Sequence, residues 1–162
     1  KPDRSYSAGN VGVVSKSGGM ASELCAVLSR SGFGQSTVIG MGGDIIAGTT
    51  FEDALLLFED DSETKATVIF GELGGLYEIK VAECLANGSI KKPVIAYIAG
   101  QSVEHLQGDV QLGHAGAFVE GKSSTATAKV AALKAAGALV AETIDEIPGL
   151  LKKVLKQNES GN

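Results

Sequence analysis

The chain has 162 residues, 44% hydrophobic and 20% charged, enough for one domain around a single core and too apolar for a disordered chain. A net charge of −5 gives no broad field for a polyanion, and five Phe and three Tyr without Trp offer little surface for base stacking, so nucleic acid is not an expected partner. The 22 glycines instead suit backbone turns that close on small anions.

Short runs rich in Val and Ile alternate with amphipathic stretches. Val11–Ser15 reads as a first strand, followed by a helical stripe of Met20, Leu24, Val27 and Leu28 that Gly32 closes. Thr37–Met41 is the second strand. Phe51, Leu55 and Phe58 mark the second helix, with Thr50 placed to cap it and Glu52 and Asp53 favoured in its first turn. Thr67–Phe70 is the third strand, and Ile79, Ala82 and Leu85 form a third helical stripe ended by Asn87-Gly88. Val94–Ile98 is the fourth strand. Ala126, Val130, Leu133 and Gly137 give a fourth helix, and Ala138–Val140 is a weaker fifth strand. Thr143 to Glu146 has capping-box spacing, but Pro148 suits a first helical turn, which predicts a short turn before a last helix over Pro148–Lys156. Strands apolar on both faces, alternating with helices, predict an α/β fold: a flavodoxin-like, doubly wound, mainly parallel sheet of five strands. The domain is expected over residues 11–156, with tails at 1–10 and 157–162.

Cys25 and Cys84 fall inside helical patterns without C-x-x-C spacing and read as small core residues in a reducing compartment, the cytoplasm or the mitochondrial matrix. No apolar run approaches the roughly 20 residues of a membrane span. No leader pattern is seen either, so neither a membrane nor an export route is expected.

Ligands of such sheets bind at the carboxyl ends of the strands. Four loops there carry candidate chemistry. Ser15-Lys-Ser-Gly-Gly19 brings free N–H groups and a helix dipole to one spot; Ser17, Gly18 and Gly19 either bind phosphate or form a tight turn with Ser17 as N-cap. In Gly40-Met-Gly-Gly-Asp44, Gly42 and Gly43 permit close approach, and Asp44 either orients a substrate hydroxyl or caps local backbone. In Gly71-Glu-Leu-Gly-Gly75, Glu72 directly follows a buried strand, and Gly74 and Gly75 keep the loop open. The segment from Gly100 to Ser124 holds both histidines. His105 lies in a polar stretch, whereas His114 lies among small residues, beside Gly113, where reagents have access. An anion cradle, a reachable imidazole and a carboxylate on converging strand ends suit phosphoryl transfer: His114 attacks phosphorus while Glu72 holds the other ring nitrogen. No metal ligand set is expected.

Ser15-Lys-Ser-Gly-Gly-Met20, Gly42-Gly-Asp44, Gly71-Glu-Leu-Gly-Gly75 and Gly113-His-Ala-Gly-Ala117 occur here in one order. Together they resemble the phosphohistidine-bearing domain of succinyl-CoA synthetase α subunits, ATP-citrate lyase and citryl-CoA synthetase, over about Asn10 to Leu155. The resemblance implies that His114 is phosphorylated by ATP or GTP and passes the phosphoryl group to a small carboxylic acid. It also implies that Glu72 holds that histidine, and that Ser17, Gly18 and Gly19 form the phosphate-binding helix start. The acyl phosphate then reacts with coenzyme A. Ser17-Gly-Gly-Met20 followed by Glu23-Leu24, and Val110-Gln-Leu-Gly-His114, look more like the citrate enzymes, so citrate is favoured over succinate. Lys16 stands where the family more often has Arg.

The family's coenzyme-A-binding Rossmann domain and its ATP-grasp segment are not seen in this sequence. The chain is therefore expected to be one domain of a larger ligase, with ATP or GTP, Mg and coenzyme A serving the complete enzyme and none held tightly by this domain alone. An ATP-grasp subunit or domain and a Rossmann domain are the expected partners. A receiver module is disfavoured, because Gly71-Glu72 and Ser15-Lys16 stand where its acidic metal site would be. A non-catalytic flavodoxin-like phosphate-binding module leaves His114 unexplained.

Overall fold

The computed structural model describes residues 5–104, 114–117, 119 and 121–160. Among the described residues five strands alternate with five α-helices: β1 (Ala8–Ser15), α1 (Gly18–Arg30), β2 (Gln35–Gly40), α2 (Phe51–Asp60), β3 (Ala66–Glu72), α3 (Tyr77–Ala86), β4 (Val94–Ala99), α4 (Ala126–Ala135), β5 (Leu139–Val140) and α5 (Ile147–Ser160). All neighbouring strands run parallel in the order β2-β1-β3-β4-β5. This is the expected flavodoxin-like doubly wound sheet. The chain winds outward from β1 in both directions, so the switch point lies between β1 and β3.

Period-two alternation divides the core into two layers. Val11, Val13, Val68, Phe70 and Ile95 pack with Leu24, Cys25 and Leu28 of α1 and with Ile147 and Leu151 of α5. Val14, Ile69 and Ala96 face the other way, against Phe51 and Phe58 of α2, Val81 of α3 and Leu133 of α4. Burying an aliphatic or aromatic side chain of this kind contributes about 1.5–3 kcal/mol. Both cysteines are free and buried. Among the described residues no helix is long and apolar enough to cross a membrane.

Local signals explain most boundaries. Ser17 caps α1 by accepting from the Met20 N–H, and Gly32 follows its end at φ +83°. Thr50 and Asp53 form a reciprocal capping box on α2. Other expectations need correction. β1 starts at Ala8, three residues before Val11, and α5 continues past Lys156 to Ser160. The buried face of α3 is Glu78, Val81, Ala82 and Cys84, with Ile79 and Leu85 only half-buried. At this end the expected short turn is present: residues 144–146 form a 3-10 turn, α5 begins with Ile147 and Pro148, and the Glu146 carboxylate accepts from the Glu142 N–H rather than completing a cap with Thr143.

Candidate functional site

Glu72 is the last residue of β3, beside the switch point. Its Oε2 lies 2.8 Å from His114 Nδ1, joining the loop after β3 to the segment that carries the histidine. The Glu72 side chain is only 11% exposed, whereas the His114 ring is 36% exposed, so one partner is shielded and the other is reachable. On its other side Glu72 Oε1 faces the ammonium of Lys16 at 3.5 Å. Lys16 is buried, donates to the Gly74 carbonyl at 3.4 Å and stands 5.6 Å from the centre of the Tyr77 ring. Oε1 has no hydrogen bond among the described residues, so the carboxylate is held by ion pairing on one oxygen and by the imidazole on the other.

A second buried pair lies beneath. Glu78 Oε1 accepts the Glu72 N–H at 3.1 Å, and Glu78 Oε2 is 2.5 Å from the Lys129 ammonium. Lys129 donates to the carbonyls of Glu72, at 2.7 Å, and Gly74, at 2.6 Å. Burial holds the Lys129 ammonium below the ordinary lysine range, and the Glu78 carboxylate partly offsets that effect. Two lysines and two glutamates thus balance in charge around one turn, as low-dielectric surroundings require. Sequence reasoning missed Glu78 and Lys129. The available signal was spacing, since Lys129 falls on the buried face of α4 between Ala126 and Leu133.

The glycines have distinct places. Gly71 leaves the room that Glu78 fills: a Cβ there would lie 2.5 Å from Glu78 Oε1. Gly74 and Gly75 turn with φ +88° and +62°, and the Gly74 N–H bonds the Ser124 carbonyl. Gly42 has φ +90°, and Gly43 lies against the His114 ring. The Gly116 N–H donates to the Gly43 carbonyl at 3.0 Å, tying the histidine segment to the loop after β2. The Asp44 carboxylate accepts from the Ile45 N–H at 2.6 Å. The Ser17 N–H is taken by Ser15 Oγ, which leaves Gly18 and Gly19 as first-turn donors without an acceptor in the helix. His105 and Gly113 lie outside the described residues. Elsewhere along the same sheet edge a cleft of about 310 Å³ is bordered by Tyr97, Gly100, Lys134 and Glu142; His114, Glu72 and Lys16 do not line it. Among the described residues no cluster of three or more His, Cys, Asp and Glu could hold a metal ion.

The CoA-ligase family model matches residues 14–139, from the end of β1 to the start of β5. The chain belongs to the CoA-ligase family. It is 48% identical over 155 residues to the succinate–CoA ligase (ADP-forming) subunit alpha 1 of Archaeoglobus fulgidus, covering 96% of this chain and 52% of that protein. It is 44% identical over 149 residues to a probable ATP-citrate synthase subunit 1 of Schizosaccharomyces pombe, covering 92% of this chain and 24% of that protein. The ATP citrate lyase of Methanothrix soehngenii, solved in complex with citrate and coenzyme A, superposes with a TM-score of 0.89 at 34% identity, over 95% of this chain and 25% of that one. The chain thus spans about half the length of one relative and about a quarter of the others. The CoA-ligase match encloses Lys16, Glu72, Glu78, His114 and Lys129 together.

Proposed function

We propose that this CoA-ligase domain carries a phosphoryl group on His114 within a nucleotide-dependent acid–CoA ligase. The observation that supports this best is the 2.8 Å contact between His114 Nδ1 and Glu72 Oε2. An ionised carboxylate can only accept, so Nδ1 carries the hydrogen and the lone pair resides on Nε2. Nε2 attacks the terminal phosphorus of ATP or GTP; the N–P bond forms as the bond to the nucleoside diphosphate oxygen breaks. The ring then bears positive charge, which Glu72 opposes at hydrogen-bond distance. A carboxylate oxygen of the acid next attacks the same phosphorus, the N–P bond breaks, and neutral His114 returns. The thiol of coenzyme A finally displaces phosphate from the acyl phosphate.

Within this chain Glu72 fixes the ring nitrogen that reacts, and the Lys16 ammonium, 3.5 Å from Glu72 Oε1, anchors the carboxylate on its other side. Gly18 and Gly19 offer N–H groups to phosphate oxygens at the α1 start. Magnesium belongs with the nucleotide, whose site we assign to an ATP-grasp partner; coenzyme A we assign to a Rossmann domain. The proposed setting is the cytoplasm or the mitochondrial matrix.

Citrate is the proposed acid, supported by the Ser17-Gly-Gly-Met20 motif and by the likeness to a structure that contains citrate. The 48% identity to a succinate–CoA ligase subunit favours succinate as the second reading. Comparing kcat/KM for the two acids in the assembled enzyme decides between them. For the mechanism, the assembled enzyme given labelled ATP and a divalent metal should acquire an acid-labile, base-stable phosphoryl group on His114. His114→Asn should abolish labelling and turnover with the fold intact, and Glu72→Gln should weaken both less completely. Full labelling of His114→Asn, with loss on mutating His105, would overturn the mechanism.

A further inference from the structure

We infer, on the reading of Glu72 as the partner of His114, that Lys129 is a positioning residue: by holding the carbonyls of Glu72 and Gly74 from below, its ammonium fixes the peptide from which the Glu72 carboxylate meets the imidazole. Residue 72 is clamped at both ends of its backbone. Its N–H donates to Glu78 Oε1 at 3.1 Å and its carbonyl accepts from Lys129 Nζ at 2.7 Å, while Glu78 and Lys129 pair with each other at 2.5 Å. The clamp reaches on to Gly74, whose carbonyl receives Lys129 at 2.6 Å and Lys16 at 3.4 Å. One buried ion pair therefore governs the whole turn that follows β3.

Packing alone does not explain a lysine there. Lys129 and Glu78 are both fully buried, and α4 already presents Ala126 and Leu133 to the core. An apolar residue would fill the same space, and replacing a buried ion pair by packed apolar side chains is often neutral or stabilising. What an apolar residue cannot supply is direction. Two carbonyls turned inward toward one ammonium leave the 72–75 turn a single orientation, and a strand-end carboxylate needs such support to keep hydrogen-bond geometry with a half-exposed ring.

The test reads the imidazole itself. Nitrogen-15 NMR of the full chain, labelled at histidine, reports which ring nitrogen of His114 carries the proton. The wild type should hold the Nδ1–H form, and Glu72→Ala should release it to the mixed tautomers of free imidazole. Lys129→Met should do the same with Glu72 still in place. The double variant Glu78→Gln with Lys129→Met removes both charges together, leaves no buried charge unpaired and keeps an acceptor for the Glu72 N–H, so it carries the test if Lys129→Met alone unfolds. Loss of the fixed tautomer in a variant with wild-type circular dichroism supports the inference. A folded variant that keeps the wild-type tautomer overturns it, as does unfolding of both variants, since the pair then acts on stability alone. A wild type without the Nδ1–H form, or a Glu72→Ala chain that retains it, overturns the His114–Glu72 reading itself and the inference with it.

Discussion

The ring of His114 rests against the main chain of Gly43: a Cβ at position 43 would come within 2.6 Å of Nδ1 and 2.7 Å of Cδ2. That ring already bonds Glu72 through Nδ1, so its plane is set from two sides. Gly43→Ala should therefore push the imidazole off Glu72 without straining the backbone, because Gly43 is not among the glycines of positive φ. The expected outcome is a thermal midpoint close to wild type with the proposed phosphorylation of His114 slowed roughly 10²-fold, the scale of a small misplacement of a reacting group. Phosphorylation at the wild-type rate in Gly43→Ala would remove this role from Gly43.

Phosphate should find fewer donors at the α1 start than the motif suggests. The Ser17 N–H belongs to Ser15 Oγ at 3.1 Å, and the Met20 N–H to Ser17 Oγ at 3.4 Å, which leaves Gly18 and Gly19. Titration with inorganic phosphate, followed through backbone amide NMR, should move Gly18 and Gly19 most and Ser17 less. Gly18 and Gly19 resonances that stay fixed at high phosphate would count against an anion site here.

Much of this molecule was legible because its signals are local. Val and Ile runs such as Val11–Ser15 and Thr67–Phe70 announce strands buried on both faces, and Thr50 with Asp53 announces a helix start. The pairing of Glu72 with His114 was accessible because each lies beside glycines in a loop that such a sheet gathers at one edge. Glu78 and Lys129 were not, since a charged residue in a helix reads as solvated unless its partner is known, and the two are 51 positions apart. Position gave the hint that composition hid: Lys129 keeps the spacing of the apolar stripe. The stretch from Thr143 to Glu146 was legible through Pro148 rather than through its capping-box spacing. Pro148 favours a helix beginning at Ile147, so Glu146 lies before the helix and serves the Glu142 N–H.

The α2 cap should show in acid. Thr50 Oγ1 accepts from the Asp53 N–H at 3.1 Å, and the Asp53 carboxylate accepts from the Thr50 N–H at 2.9 Å. Thr50→Ala should lose about 1 kcal/mol of stability near neutral pH. The bonds from Thr50 backbone and hydroxyl hold the Asp53 carboxyl below its ordinary 3.8. A lowered folded value means that this stabilisation is fully present above 3.8 and fades as pH falls through the folded value. Urea midpoints of wild type and Asp53→Asn should therefore differ near neutrality and converge in acid. A gap that stays constant with pH would exclude the carboxylate as its source.

Cys25 should make the fold sensitive to base. It is fully buried on α1 against Val11, Val13 and Val68, and that burial pushes its thiol from 9.0 up to about 11. Between those values the unfolded chain has lost the proton and the folded chain still holds it, so unfolding releases a proton and stability falls as pH rises. The interval corresponds to about 3 kcal/mol if the unfolded thiol is unperturbed. Lys129 acts in the opposite sense, because burial lowers its folded value, and its contribution rises as pH climbs towards 10.5. The two contributions oppose each other, so a difference between two proteins isolates the thiol. Cys25→Ala should be less stable than wild type near neutrality, since removing the sulfur leaves a small void in the core. Urea unfolding repeated from neutrality to about pH 11 should then show the wild-type advantage shrinking from pH 9.0 upward, as the thiol's proton linkage requires. An advantage that remains constant across that interval would mean that the buried thiol does not resist ionisation in the folded chain.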